Sequence, residues 1–98
     1  MDLCKSFKAF GMSVLIEIPD NSDLLLWVLP GFAHGFYATR DNAEALYGVT
    51  DYRFAEVERT SLWLGPALNI SVPLLIDSRI LSDKDRVGKL FSNAELFD

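Results

Sequence analysis

The apolar positions of the chain fall in short runs, and most runs end at a proline, a glycine or an Asp-Asn pair. Runs of this length that are rich in branched and aromatic side chains are typical of β-strands. The pattern predicts strands at 12–18, 24–29, 36–39, 43–52, 60–64 and 67–72, and residues 74–80 form a further apolar run. Residues 43–46 also suit a helical turn, since Ala, Glu and Leu favour helix, whereas the Tyr, Val and Thr that follow favour a strand.

Turn-forming residues separate these runs. Pro30-Gly31 predicts a tight corner, because Pro fixes φ and Gly accepts a positive φ, and Asp41-Asn42 predicts a second turn. Residues 19–23 and 54–59 read as loops. Ser82 followed by acidic residues is typical of a helix N-cap, so a short helix is expected from Asp83 towards Phe91. Many short strands with Gly/Pro turns indicate an all-β sandwich or barrel.

Composition limits the size and the partners of this fold. The chain has 98 residues, which suffice for one domain (1–98) with a modest core. Half of the residues (50%) are hydrophobic and the mean hydropathy is +0.18, so either the core is dense or apolar surface awaits a partner. A net charge of −5 argues against nucleic acid as a ligand.

The single cysteine and the N-terminal residues bear on location. Cys4 has no second cysteine for an internal disulfide and no Cys/His cluster for zinc, which fits an inert residue in a reducing, cytoplasmic setting. Lys5 and Lys8 precede an apolar stretch, but Glu17 and Pro19 interrupt it and no small-residue cleavage site follows, so no signal peptide is expected. No apolar run is long enough to span a membrane, and no membrane partner is expected.

The only histidine lies in an unusual segment. His34 follows the Pro30-Gly31 corner and stands between Phe32 and Phe36, with Gly35 beside it. Because Gly35 has no Cβ, another backbone or a ligand can approach His34 closely. A packed, hydrogen-bonded histidine is the structural alternative.

Residues 26–52, LWVLPGFAHGFYATRDNAEALYGVTDY, resemble the core signature of the dTDP-4-dehydrorhamnose 3,5-epimerases, LWIPxGFAHGF followed after about ten residues by LYKxTxYY. The resemblance continues in order through Glu58, Ser61-Leu62-Trp63, residues 66–70, residues 81–85 and residues 93–97. Only the C-terminal half of such an enzyme is resembled. The family fold implies a partial cupin-type jelly roll that lacks the N-terminal strands and has a short C-terminal helix. Open sheet edges would then require a partner, either a homodimer or a complementing chain.

The resemblance implies an isomerase that inverts C3 and C5 of a dTDP-4-keto-6-deoxy sugar by acid–base chemistry, without a metal or other cofactor. Tyr47 matches the family's acid, and Asp85 matches the aspartate that orients the catalytic histidine. His34 matches a pocket residue near the sugar, and Glu58 and Lys84 match contacts to the nucleotide-sugar. The structural alternatives are a surface tyrosine, a helix-capping aspartate and ordinary surface charges.

The chain also departs from the family pattern. The RGLHxQ motif that carries the base is absent, as are the arginines and the lysine that hold the diphosphate and the enolate. Gly48 replaces the lysine after the acid, and Arg53 replaces an aromatic residue that stacks on thymine. Arg53 remains a candidate substrate-binding residue, because an arginine can cover the face of a base. Residues 64–65 and Val72 also depart from it. Two hypotheses follow: an epimerase-family protein that is weak or inactive as an isolated chain, or a non-catalytic jelly-roll module for binding or assembly.

Overall fold

The computed structural model describes residues 1–66, 68, 70 and 80–98. Regular structure within these residues consists of a 3-10 turn at Ala55–Val57, a one-turn helix α1 at Asp83–Arg86 and a second 3-10 turn at Phe91–Asn93. Backbone pairing in these ranges is limited to isolated bridges, and none extends into a strand. The elements that position side chains are therefore turns and bridges.

The strands predicted at 12–18, 24–29, 36–39 and 43–52 are wrong as continuous strands, because no ladder of backbone hydrogen bonds runs along them. The range 60–64 holds one bridge, from Ser61 to Lys89. The ranges 67–72 and 74–80 lie almost wholly outside the described residues. A strand exists only where a neighbouring segment accepts and donates its hydrogen bonds, and an apolar pattern does not report whether that neighbour is present. The all-β jelly roll is consequently not confirmed by the described part of the chain.

The predicted turns are confirmed. Gly31 has a φ of 90°, the positive value that the Pro-Gly pair indicated, and Asn42 has a φ of 59° in the turn predicted at Asp41-Asn42. Ser22 N–H donates to the Pro19 carbonyl at 3.0 Å, which closes the predicted loop at 19–23. These conformations depend on the residues in the turn itself, and this is why sequence alone identified them.

The small core of the described residues lies at the N-terminal segment, which the apolar pattern did not single out. Asp2, Leu3 and Cys4 are buried there, and Leu68 is buried as well. Leu3 N–H donates to the Gly31 carbonyl at 2.9 Å, and its own carbonyl accepts from Phe97 N–H at 3.0 Å. The segment therefore lies between the Pro30-Gly31 corner and the C-terminal residues, and it ties both to one centre.

Cys4 is part of this core and not an inert terminal residue. Its N–H donates to Asp2 Oδ1 at 2.9 Å, and its thiol lies 3.8 Å from the Gly31 carbonyl oxygen. Burial and the neighbouring Asp2 carboxylate raise the pKa of the thiol. A Cβ at Gly31 would stand 2.4 Å from the Cys4 sulfur, so a larger residue there would force the corner or the Cys4 side chain to shift.

A second junction links the middle of the chain to α1. Leu62 N–H donates to the Lys89 carbonyl, and Lys89 N–H donates to the Thr60 carbonyl at 2.9 Å. Gly88 makes this approach possible, since a Cβ there would stand 2.8 Å from the Leu62 nitrogen. The junction brings residues 58–62 beside α1, and this is where three of the candidate site residues meet.

Much apolar surface remains uncovered. The accessible surface is 8954 Å², whereas a compact chain of 11.0 kDa exposes about 5,600 Å². The radius of gyration is 14.3 Å, against about 12.6 Å for a compact chain of this length. Leu25 and Leu46 are 96% and 99% exposed, and the apolar run at 12–18 is exposed too. Monomeric soluble proteins rarely leave this much apolar surface exposed.

Candidate functional site

Three of the six candidate residues come together. Two of the three guanidinium nitrogens of Arg53 donate to Glu58. Nε donates to Oε1, and Nη2 donates to Oε2 at 3.3 Å. Lys84 Nζ lies 3.7 Å from the same Oε2. Residues Arg53, Glu58 and Lys84, called here the Glu58 triad, thus place one carboxylate between two cations.

Glu58 directly follows a turn that hydrogen bonds from a second arginine, Arg59, stabilise. Glu58 follows the 3-10 turn at Ala55–Val57, and its N–H donates to the Ala55 carbonyl at 3.2 Å. Arg59 Nη1 donates to the carbonyls of Glu56 and Glu58 at 2.9 and 3.0 Å. Its Nε donates to Glu95 Oε1 at 2.8 Å. Arg59 was missed by the sequence analysis, in which the alternating charges of 54–59 indicated only a loop.

Helix α1 supplies Lys84 and Asp85. The predicted N-cap is confirmed, because Asp85 N–H donates to Ser82 Oγ at 3.3 Å. The helix ends at Arg86 and does not continue to Phe91 as predicted, since Lys89 pairs instead with the Thr60 segment. Ser82 Oγ donates to Asp85 Oδ2 at 2.6 Å, so the carboxylate of Asp85 completes the helix cap.

Tyr47 and His34 make other contacts than the residues of the Glu58 triad. The Tyr47 ring packs against Phe36, with ring centroids 6.1 Å apart and planes tilted by 52°. His34 is exposed, and a Cβ at Gly35 would meet no atom within 4 Å. Within the described residues no hydrogen bond or ion pair connects either side chain to the triad or to Asp85. The structure therefore leaves the predicted acid and the pocket histidine open to solvent.

No group of three or more His, Cys, Asp or Glu residues in the described part of the chain is arranged to hold a metal ion. No helix among the described residues is long and apolar enough to cross a bilayer.

The two cations of the Glu58 triad lower the pKa of Glu58. The hydrogen bond from Arg53 lowers the pKa of Glu58, and the positive charges of Arg53 and Lys84 lower it further. The same pairing raises the pKa of Arg53. Arg59 lowers the pKa of Glu95 in the same way, with a smaller contribution from Lys89. Both carboxylates are thus held in the ionised form at neutral pH.

We expect Arg53→Ala to return the Glu58 titration midpoint towards the ordinary range of a glutamate. A carboxylate with a lowered folded pKa stabilises the fold above its ordinary pKa, and this contribution is lost as the pH falls through the lowered value. Carboxyl ¹³C NMR titration of both proteins measures the midpoint. The Glu95 midpoint is the internal control, because its partner is Arg59; an unchanged Glu58 midpoint would contradict the pairing.

Comparison with known proteins decides the family. The family model described as dTDP-4-dehydrorhamnose 3,5-epimerase matches residues 1–93. The chain belongs to this family. An enzyme named dTDP-4-dehydrorhamnose 3,5-epimerase from Pseudomonas aeruginosa is 39% identical over 97 residues, which are 99% of this chain and 53% of the relative. One of the same name from Shigella flexneri is 35% identical over 99% of this chain and 52% of its own length. A third, from Neisseria gonorrhoeae, is 36% identical over 97% of this chain and 29% of its own length.

The family prediction is thereby confirmed, and so is its partial extent. The chain spans about half the length of the epimerases from Pseudomonas aeruginosa and Shigella flexneri. No solved structure matches the chain. Because each of these relatives carries an epimerase name over nearly the whole of this chain, the non-catalytic binding or assembly module is not favoured.

Proposed function

We propose that the chain forms the C-terminal part of the active site of a dTDP-4-dehydrorhamnose 3,5-epimerase and has little or no activity alone. The family match over residues 1–93, at about half the length of two relatives, carries this proposal. The substrate is a dTDP-4-keto-6-deoxy sugar. The reaction inverts C3 and C5, whose protons are acidic because the neighbouring ketone stabilises the carbanion as an enolate.

Inversion needs one group that removes a proton from one face and another that returns a proton on the opposite face. Tyr47 is the proton donor, and its exposed hydroxyl is accessible to a substrate. Asp85 orients the catalytic histidine of the absent motif, and His34 lines the pocket near the sugar. Asp85 must then exchange its hydrogen bond from Ser82 for one from that histidine. The chemistry requires no metal or redox cofactor.

The missing base limits the isolated chain. A positioned general base contributes about 10²–10⁴ in rate, and the only histidine of this chain stands in the GFAHGF motif, not in RGLHxQ. Tyr47 without a base on the opposite face can return a proton but cannot remove the first one. The isolated chain therefore binds the nucleotide-sugar and supplies the acid Tyr47, but it has no base to start the reaction.

The nucleotide lies at the Glu58 triad. Arg53 stands where the family has an aromatic residue against thymine, and a planar guanidinium covers the face of a base. Lys84 supplies a positive charge for the anionic ligand and lies 3.7 Å from the carboxylate that Arg53 contacts. A chain with a net charge of −5 attracts a dTDP-sugar only where such cations are concentrated.

The chain is a single cytoplasmic domain that folds as part of a jelly roll. A second polypeptide or a second copy of the chain supplies the strands that complete it. The exposed apolar runs at 12–18 and 24–29 support this, because a sheet needs three or more strands with a covered apolar face to be stable. Completed pairing would convert these runs into the strands that their pattern predicts.

The purified chain tests the proposal directly. Titration with dTDP, followed by ¹⁵N NMR, should perturb the signals of Arg53, Glu58 and Lys84. Exchange of the C3 and C5 protons of dTDP-4-keto-6-deoxyglucose in D₂O should stay at the uncatalysed rate. Absence of dTDP binding at millimolar concentration would refute the nucleotide site, whereas turnover by the isolated chain would refute the requirement for a second part.

A further inference from the structure

We infer that Glu58 is a positioning residue: it sets the plane of the Arg53 guanidinium for the nucleotide and does not itself bind the ligand. The inference rests on the proposed function, because it assigns a role within the proposed nucleotide site. It departs from the role that the family resemblance gives to Glu58, which is a direct contact to the nucleotide-sugar. The reason lies in the residue at position 53, where this chain has an arginine.

Both carboxylate oxygens of Glu58 are engaged by the neighbouring cations. Oε1 accepts from Arg53 Nε, and Oε2 accepts from Arg53 Nη2 at 3.3 Å while lying 3.7 Å from Lys84 Nζ. The side chain of Glu58 is 35% exposed, against 74% for Arg53 and 63% for Lys84. The two cations are thus more open to an incoming ligand than the carboxylate is.

The two hydrogen bonds from Arg53 to Glu58 fix the orientation of the guanidinium as well as its distance from the carboxylate. A guanidinium is planar, so two parallel hydrogen bonds to one carboxylate determine the orientation of its plane. The pair uses the edge formed by Nε and Nη2. The Nη1 edge and the faces of the plane are directed away from that contact by covalent geometry. An arginine held in this way can lie flat on a base, which a lysine ammonium cannot do.

The support beneath Glu58 is itself fixed. Arg59 Nη1 holds the Glu58 carbonyl at 3.0 Å and the Glu56 carbonyl at 2.9 Å, and its Nε is paired with Glu95. The carboxylate is consequently presented from a turn that is tied to the C-terminal residues. A side chain orients a neighbour only when its own backbone is held, and this condition is met here.

A purely electrostatic role of Glu58 and a positioning role predict opposite effects of Glu58→Gln on ligand affinity. The Glu58 triad has two cations and one carboxylate, so Glu58→Gln increases its positive charge by one. If Glu58 only opposed the anionic ligand, dTDP would bind more tightly to this variant. If Glu58 orients Arg53, then dTDP and uncharged thymidine both bind more weakly, since Arg53 must be ordered at the moment of binding.

A double-mutant cycle on the full chain separates these roles. The affinities of dTDP and of thymidine are measured by NMR titration for the wild type, Glu58→Gln, Arg53→Ala and the double variant. We expect Glu58→Gln to weaken both ligands about 2- to 10-fold, the effect of freeing one long side chain. In the Arg53→Ala background the same change should have no further effect, because its action passes through Arg53. Glu56→Gln makes the same charge change in the same turn and should leave both affinities unaltered.

The remaining outcomes overturn the inference in distinguishable ways. Tighter dTDP binding by Glu58→Gln would show an electrostatic opponent, and additive losses in the double variant would show a direct ligand contact; in both cases the nucleotide site itself stands. If wild-type protein binds neither dTDP nor thymidine, the proposed function fails, and the positioning role fails with it.

Discussion

Adding the part of the Pseudomonas aeruginosa epimerase that this chain does not match should raise epimerase turnover by about 10²–10⁴ over the chain alone, the contribution of one positioned general base. The chain covers 53% of that relative, so the remaining segment would supply the missing histidine motif. It would also cover apolar side chains such as Leu25, which the chain leaves exposed. Co-expression of the two polypeptides, followed by the C3 and C5 exchange assay in D₂O, measures the gain.

Two variants make this experiment specific. Tyr47→Phe in the chain should abolish inversion at C3 and C5 without preventing association or proton exchange at the base, because it removes only the hydroxyl that returns the proton on the opposite face. Leu25→Asp should prevent association, since it places a charge on the apolar surface that the partner covers. Sedimentation of the mixture reports association separately from activity. If the two parts associate and the Tyr47→Phe mixture still inverts C3 and C5, the proposed role of Tyr47 is wrong.

Gly31→Ala should destabilise the chain by about 2–5 kcal/mol, the sum of backbone strain and overpacking. A φ of 90° is strained for any residue with a Cβ, at a cost of about 1–2 kcal/mol. The new Cβ would also stand 2.4 Å from the Cys4 sulfur, and such overpacking costs about 1–3 kcal/mol. Urea denaturation followed by tryptophan fluorescence measures the change in the free energy of unfolding.

Gly35→Ala is the matched control, four residues along the same segment. A Cβ there would meet no atom within 4 Å, and no positive φ is involved, so the change should stay within about 0.5 kcal/mol. Combining Gly31→Ala with Cys4→Ala separates the two causes, because it removes the clash and retains the backbone strain. Equal losses in the Gly31 and Gly35 variants would show that the corner is not packed against Cys4.

Local features were predictable from the sequence, and features that need a distant partner were not. The corner at Gly31, the turn at Asn42 and the cap at Ser82 depend on residues next to one another, and all three are confirmed. The strands at 12–18 and 24–29 depend on neighbours elsewhere, and their apolar pattern specifies only that a covering surface is needed. The length of α1 was overestimated because the bridge from Ser61 to Lys89 ends it, and that bridge crosses 28 residues of sequence.

The candidate site shows the same division. Arg53 and Glu58 were named from the family resemblance, and their pairing is a short-range contact across the 3-10 turn. Lys84 joins them only because Gly88 allows the chain to return beside Leu62. Arg59 was missed, since its role depends on carbonyl groups of the turn, which no pattern of side chains reveals. Whether Tyr47, His34 and Asp85 act on one substrate stays a prediction.

The buried thiol of Cys4 also makes the rate of thiol labelling a measure of how often the N-terminal segment opens. Cys4 is the single cysteine, and burial together with the raised pKa keeps it protonated and sheltered at neutral pH. A thiol reagent therefore modifies the chain only when the N-terminal segment separates from Gly31 and Phe97. The rate of alkylation follows the opening of that segment alone, and a partner that clamps the corner closed would slow the labelling without touching the sulfur.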